Sequence, residues 1–379
     1  MTLSVIILNY NVRYFLEQCL LTVKEAIEDL DAEIIVVDNA SKDESCAMVK
    51  ERFPDVTLIE NKENVGFSKA NNQAVAIAKG AYVCILNPDT AVQEHTFTHV
   101  LQFAKAHPNF GAIGIRYIDG TGHFLPESKR NLPTPKVSMY KILGITSEKH
   151  DYYANYLNEK ETGKVAVLAG AFMLIKRSRY LDVGGFDEDY FMYGEDIDLS
   201  YKLTKAGYDN YYVGDIAMLH YKGESTTKDK VYLKRFYGAM QIFYNKHFQH
   251  NVFLGVMVKM GVFVSRVFGN VRLSKKAKPL APKNECVCVS GDKAFYSYFS
   301  DSYDTIKQIS IESTAIETLT DSQVIFDANT VTYTQIIPTI ETLKNNHNCF
   351  RIHPKHTTFT IGSDSSLDRG EVVKFKEEK

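Results

Sequence analysis

Leu3-Ser4-Val5-Ile6-Ile7-Leu8-Asn9-Tyr10-Asn11 opens the chain as an apolar run that ends on amide side chains. A run this short, with no basic segment before it, reads as a buried strand and not as a signal peptide. The same character returns at 33–37, 56–59, 82–86 and 112–115, while helical patterns fill 14–28, 42–52, 69–79 and 94–107. Continuous apolar strands separated by such helices predict an α/β fold, Rossmann-like, with a mostly parallel sheet covered by helices on both faces. In such a sheet ligands bind outside the carboxyl ends of the strands. The segments there read Asn9-Tyr10-Asn11, Asp38-Asn39-Ala40-Ser41, Asn61 onward to Asn64-Val65-Gly66-Phe67, and Asn87-Pro88-Asp89-Thr90. Asn, Asp, Gly and Pro also make ordinary turns, but the recurrence at successive strand ends points to a ligand.

The 379 residues suffice for one large core, or one core with a smaller neighbour. A net charge of −2 gives no electrostatic case for nucleic acid as a partner. The six cysteines lack zinc or disulfide-framework spacing, which fits a reducing compartment, and a cytoplasmic protein is expected.

Beyond the strand–helix alternation, 117–163 loosens into a stretch rich in Gly, Pro and basic residues, Lys129 and Arg130 among them. This is either a surface excursion or a substrate-facing part of the site. Order returns at 165–175 as a buried strand or pair of strands. Next comes Tyr193-Gly194-Glu195-Asp196-Ile197-Asp198-Leu199, three carboxylates in the first turn of an amphipathic helix that Gly207 stops. The helix dipole alone favours acidic residues there. A short strand is expected near 210–213, followed by Leu219-His220-Tyr221-Lys222-Gly223-Glu224-Ser225.

Three units are expected: 1–230 as the main α/β domain, 231–283 as a helical segment and linker, a candidate for membrane association, and 284–379 as a small α/β appendage. Within the middle unit, 252–269 is apolar but interrupted by Lys259 and Arg266, and basic residues follow. A spanning helix needs about 20 apolar residues with few charges. The stretch therefore reads either as a packed helix with a solvated linker or as a peripheral contact with an anionic membrane surface. The appendage has no glycine-rich phosphate loop and no cluster suggesting chemistry, so a structural or partner-binding role is expected for it.

Asp89 follows a buried strand and a proline-fixed turn, which holds its carboxylate at the sheet edge. A hard cation takes one or two protein carboxylates and completes its shell with phosphate oxygens and water. His220 also follows a strand and is a candidate second ligand, since imidazole suits Mn²⁺ better than Mg²⁺. Lys222 and Ser225 stand beside it, placed to meet phosphate oxygens. Asp38 can accept a hydrogen bond from a base N–H. A metal-bound diphosphate beside a carboxylate suits group transfer away from phosphate, with the metal as Lewis acid and the carboxylate taking the proton of an attacking hydroxyl.

As an ordered set, residues 4–11, Val36-Val37-Asp38-Asn39-Ala40-Ser41, Asn64-Val65-Gly66-Phe67, Asn87-Pro88-Asp89 and Gly194-Glu195-Asp196 resemble the family 2 glycosyltransferases of GT-A fold, in particular their rhamnosyltransferase-like branch. The resemblance covers roughly residues 1–230. It implies an inverting transferase that moves one sugar from a nucleotide-diphospho-sugar to a hydroxyl of a cell-surface glycan or lipid-linked acceptor, with Mn²⁺ or Mg²⁺ on the diphosphate. On this basis Asn9, Asn11 and Asp38 contact the nucleotide, with Asn64, Gly66 and Asn87 completing its pocket. Asp89 and His220 take the metal, Asp196 is the general base, Glu195 lies beside the acceptor, and Asp198 serves the helix dipole alone.

Asn87 stands where the family's Asp-x-Asp motif begins, so the cation meets a neutral ligand there. That form accompanies the rhamnosyltransferase-like branch, which makes dTDP-rhamnose a donor candidate alongside a UDP-sugar. The chain has no tryptophan, so the Gln-x-x-Arg-Trp motif of processive synthases is absent and a single addition is expected. A nucleotidyltransferase would need glycine in the loop Asn9-Tyr10-Asn11-Val12-Arg13, which has none. The alternative class is a non-catalytic nucleotide-sugar binder or scaffold, with Asn87 as its one hint.

Overall fold

The computed structural model of the chain describes residues 1–134, 151–224, 230–248, 283, 285–300, 302–365 and 369–375. The apolar runs form β1 (Leu3–Asn9), β2 (Ala32–Asp38), β3 (Thr57–Glu60), β4 (Tyr82–Leu86), β5 (Thr90–Ala91) and β6 (Phe110–Ile118). Between them lie α1 (Arg13–Ala26), α2 (Ser45–Arg52), α3 (Phe67–Ile77) and α4 (Thr96–Ala106). There follow β7 (Lys129–Arg130), β8 (Gly163–Lys164), β9 (Val167–Leu168), β10 (Phe172–Lys176), α5 (Arg177–Asp182), α6 (Glu195–Lys205), β11 (Asp209–His220) and α7 (Lys230–His247).

These strands make one sheet in the order β3-β2-β1-β4-β10-β6-β11-β5, with β8 also paired to β11, while β7 and β9 form a separate ribbon. β3, β2, β1 and β4 run parallel, as do β6 and β11; β10 lies antiparallel between β4 and β6. The fold is mixed α/β with a mostly parallel sheet, the GT-A arrangement that the resemblance implies.

The period-2 alternation of each strand divides the core. Val5, Ile7, Val36, Cys84 and Leu86 pack on one face against Leu16, Leu20 and Val23 of α1 and Val100 and Leu101 of α4. Ile6, Ile35, Val37, Val83 and Ile85 pack on the other against Ala70 and Ala74 of α3 and Leu199 and Leu203 of α6.

The short strand expected at 210–213 is in fact the first third of β11, which runs on to His220. Its register against β6 slips between Val213 and Ala217. Gly214 and the exposed Asp215 at that bulge break the apolar pattern, so the sequence imitates a strand end where the strand only bends. Past the bulge, the second half of β11 carries His220 to the ligand edge.

A second sheet is built from β12 (Glu285–Val289), β13 (Thr305–Ile309), β14 (Gln323–Asp327), β15 (Cys349–His353), β16 (Phe359–Gly362) and β17 (Glu371–Lys374), with α8 (Tyr333–Leu343) before β15. Its order is β13-β12-β14-β15-β16-β17, the first four parallel and the last two antiparallel. It shares a single apolar cluster with the first sheet: Phe15, Ala91, Ile118, Leu219 and Tyr221 pack among Phe326, Tyr333, Ile336, Ile340 and Phe350.

Helix α7 lays Ala239 and Phe243 against Val167, Tyr190 and Ile197. Among the described residues no helix is long and apolar enough to cross a membrane. The stretch 252–269, expected as a packed helix or a membrane contact, lies outside the described residues, as does Ser225.

Candidate active site

The carboxyl ends of β1 and β2 sit side by side, with Asn9 paired to Asp38. Asn9 donates from Nδ2 to Asp38 Oδ2 at 2.7 Å and to Ser41 Oγ at 3.1 Å. Asp38 Oδ1 in turn accepts from the Ser41 N–H at 2.8 Å. Both side chains are buried, and Asn9 Oδ1 has no hydrogen-bond partner. A buried amide oxygen left unpaired costs free energy, and this one belongs to the side chain bonded to Asp38 and Ser41. Asn11, in the left-handed region at φ 56°, accepts the Lys42 N–H at 2.7 Å.

Asn39 is the hub of the next segment. Its Nδ2 donates to Asn64 Oδ1 at 3.1 Å and to the Gly66 carbonyl at 3.2 Å, and its Oδ1 accepts from Asn61 Nδ2 at 3.0 Å. Asn64 Oδ1 also accepts the Gly66 N–H at 3.0 Å. Gly66 has φ 89°, and a Cβ there would lie 2.6 Å from the Phe191 carbonyl oxygen. Glycine is needed for that close approach as well as for the backbone angle.

Asn87 and Asp89 come off β4. The Asn87 N–H donates to the Ala171 carbonyl at 3.0 Å, which ties the β4 end to the start of β10. Asp89 and His220 are brought together by the short β5–β11 ladder, where Thr90 pairs with His220 and the Tyr221 N–H donates to the Asp89 carbonyl at 3.0 Å. His220 Nε2 stands 3.5 Å from Asp89 Oδ1, both residues buried, and His220 Nδ1 has no hydrogen-bond partner. Among the described residues no group of three or more His, Cys, Asp or Glu converges as a metal cage. One carboxylate and one imidazole fit a Mn²⁺ or Mg²⁺ that Asp89 and His220 would hold, with phosphate and water supplying its other ligands. Lys222 is ion-paired to Glu127, whose carboxyl burial would raise but which the Lys222 charge brings to a net lowering.

The acidic helix start is delivered by two successive left-handed residues, Tyr193 at φ 72° and Gly194 at φ 83°. Its three carboxylates are not equivalent. Asp196 Oδ2 receives Arg130 Nη2 at 2.6 Å and the Gly170 N–H at 3.2 Å, and Oδ1 receives the Ile197 N–H at 2.8 Å. Glu195 is buried, and its Oε2 has no hydrogen-bond partner. Burial first, and the Asp196 charge second, push its carboxyl well above the ordinary range. Asp198, expected to serve the helix dipole alone, is instead buried and bonded to His247 Nε2 of α7 at 2.6 Å and to Lys202 Nζ at 3.1 Å. It is a tie between helices.

Three features escape a reading of the sequence. Arg130 stood out there only as a basic residue; β7 carries it, and it also donates to the Leu168 carbonyl at 2.8 Å. Its pairing with Asp196 spans 66 positions and has no periodic signal. Asn39 as hub and Asp198 as anchor depend likewise on segments remote in sequence.

Polar side chains at the strand ends of an open α/β sheet, a carboxylate–imidazole pair and a carboxylate at a helix start make this edge the candidate site of a group-transfer enzyme. The family profile described as glycosyl transferase family 2 matches residues 4–184. The N-acetylglucosaminyl-diphospho-decaprenol L-rhamnosyltransferase of Mycobacterium tuberculosis is 30% identical over 241 residues, 60% of this chain and 78% of that protein. Rhamnosyltransferase WbbL of Escherichia coli K12 is 27% identical over 223 residues, 52% of this chain and 78% of the relative. Among solved structures, a mannosyltransferase of Pyrobaculum calidifontis in complex with GDP-Man and Mn²⁺ is similar with a TM-score of 0.46 and 19% identity, covering 72% of this chain and 77% of that one. The chain belongs to glycosyl transferase family 2 and is a glycosyltransferase.

Proposed function

We propose that this glycosyltransferase inverts the anomeric centre of a nucleotide-diphospho-sugar, dTDP-rhamnose or a UDP-sugar, and adds that one sugar to a hydroxyl of a lipid-linked or cell-surface glycan acceptor, working at the cytoplasmic face of the membrane. The observation that carries the reading is Asp196: a carboxylate fixed by Arg130, Gly170 and its own helix, on the edge where the strand-end groups gather. The rhamnosyl specificity rests on the two relatives, whose names describe rhamnosyl transfer.

In this reading Asp38 accepts from a base N–H and the orphaned Asn9 oxygen accepts a second donor from the nucleotide. Asn11, Asn64, Gly66 and Asn87 shape the rest of the pocket. Asp89 and His220 hold the divalent ion, which when bound neutralises charge on the departing diphosphate. Asp196 takes the proton of the acceptor hydroxyl as the oxygen reaches the anomeric carbon. Its Oδ1, which among the described residues accepts only the Ile197 N–H, keeps one lone pair for that proton, and its fixed negative charge also favours an oxocarbenium-like transition state. Glu195 flanks the acceptor as a neutral, hydrogen-bond-donating carboxylic acid.

The test is transfer of labelled sugar from UDP-, dTDP- and GDP-sugars onto isolated lipid-linked acceptors, with the anomeric configuration read by NMR. Asp196→Asn should lower kcat by at least about 100-fold, the span general-base catalysis supplies, with donor affinity retained. Full activity in that variant removes the assignment. Nucleotide-sugar binding without turnover on any acceptor would favour the non-catalytic binder.

A further inference from the structure

The second sheet is fastened to the strand end that carries His220. Four features of that strand end stand together. Tyr221 is buried in the apolar cluster shared by the two sheets and packs edge-to-face on Phe15, ring centroids 5.1 Å apart. Lys222 at φ 63° and Gly223 at φ 88° follow, and for the non-glycine Lys222 that positive φ lasts only when its surroundings hold it. Beyond them Glu224 is again buried, and its Oε1 accepts the N–H of Gly370, the residue just before β17, at 2.6 Å. Gly370 itself has no room for a side chain, since a Cβ would lie 2.6 Å from the Gly362 carbonyl and 2.8 Å from the Phe15 ring.

The segment is thus pinned on both sides of Lys222–Gly223 by the C-terminal sheet. The two pins also reach the Asp89 side of the site. The Tyr221 N–H is bonded to the Asp89 carbonyl, and Ala91 and Leu219, which flank the Thr90–His220 pair, lie in the same shared cluster. The Glu224 carboxyl is pushed up to about 7, first by burial and then by the charge of Asp89, while the Gly370 bond and Arg369 oppose the rise.

We propose that the C-terminal sheet is the back wall of the donor-diphosphate end of the active site, and that Glu224 is a positioning residue which, by docking on the Gly370 N–H, sets the path of Tyr221–Gly223 and so the placing of His220 and Lys222. It acts through a hydrogen bond accepted by one oxygen, not through its charge. The inference rests on the reading of Asp89 and His220 as the metal pair.

The experiment uses the full chain and measures donor KM, kcat, the Mn²⁺ activation curve and the melting temperature for five variants. Glu224→Ala should raise donor KM about tenfold and shift Mn²⁺ activation to higher concentration, with kcat within about twofold of the parent; one lost hydrogen bond of ordinary strength is a tenfold effect. Glu224→Gln keeps an oxygen for Gly370 and should restore both. Glu224→Asp keeps the charge but withdraws the oxygen by a methylene, so it should behave like Ala and stands in for Ala if that variant does not fold. Glu94→Ala removes a different contact between the two sheets, the cap on Tyr333 and Thr334, which does not touch Tyr221–Glu224; it should lower the melting temperature and leave donor KM unchanged.

An unchanged KM in Glu224→Ala or Glu224→Asp overturns the proposal, as does a Gln variant no better than Ala. A KM rise in Glu94→Ala equal to that in Glu224→Ala reduces the effect to general loosening and also overturns it. Asp89→Asn separates the two levels: if it keeps full activity and Mn²⁺ activation, the metal-pair reading itself has failed, whatever the Glu224 variants show.

Discussion

Two residues in this site occupy places that an ordinary carboxylate or an ordinary side chain would avoid. Glu195 has a folded-state affinity for its proton above that of the unfolded chain, because burial and the Asp196 charge both disfavour its ionised form. The folded protein therefore binds that proton more tightly, so stability is fullest below the ordinary carboxylate value of about 4.3. It then falls as pH rises from there toward the raised value. Glu195→Gln keeps the shape and cannot ionise; its melting temperature should decline less than the parent's between pH 5 and 8, a difference of at least about 1 kcal/mol at the upper end. Parallel decline in the two proteins would show that Glu195 is not the group responsible. Gly66 is the second case. Gly66→Ala meets both a positive φ and a backbone oxygen at 2.6 Å, so a loss of about 1–3 kcal/mol in urea unfolding is expected. The displaced oxygen belongs to Phe191, which accepts the Phe67 N–H at 2.7 Å, so donor binding should weaken in the same variant.

At the scale of elements, the sequence exposes what is periodic or terminal. The strands β1, β2 and β4 and the Asn9, Asp38 and Asp89 that end them are legible because an apolar run and its turn are contiguous. The acidic first turn of α6 is legible for the same reason. Partnerships between elements are not. Asp198 looks like a dipole residue in its own helix, yet its carboxylate is buried and joins α6 to His247 of α7. Likewise Arg130 lies in an aperiodic stretch, and only folding brings it to Asp196. β11 is half hidden because its bulge imitates a strand end. The buried tie at Asp198 has a measurable consequence. Asp198→Ala leaves His247 and Lys202 without their shared carboxylate, and losing hydrogen bonds to a charged group costs about 1.5–3 kcal/mol. Amide exchange in α7 should accelerate with that loss. Unchanged protection of α7 would mean that its apolar face, Ala239 and Phe243, suffices to hold it.

At the scale of the whole molecule the question is whether two sheets make one cooperative unit. Three kinds of contact join them. The apolar cluster runs across the junction without a break. Glu94 places one oxygen on the Tyr333 N–H at 2.6 Å and the other on the Thr334 N–H at 2.8 Å, capping the start of α8 from the first sheet's side, where a carboxylate also meets the positive end of the helix dipole. Arg116 of β6, both buried and donating to the Gly214 carbonyl at 2.9 Å, is ion-paired to the buried Glu341 of α8. Arg116→Ala leaves Glu341 in an apolar junction with no equal partner, since Lys160 approaches only to 3.6 Å from an exposed position. A cost of about 3 kcal/mol or more is expected. The chain has no tryptophan, so one introduced at Tyr82 in the first sheet or at Tyr303 beside the second reports each half separately. If the junction couples the sheets, the two probes should give coincident urea transitions in the parent, and Arg116→Ala should move both midpoints together. Movement of the Tyr303 probe alone would instead make the second sheet an independently folding neighbour, and the shared cluster merely a contact surface.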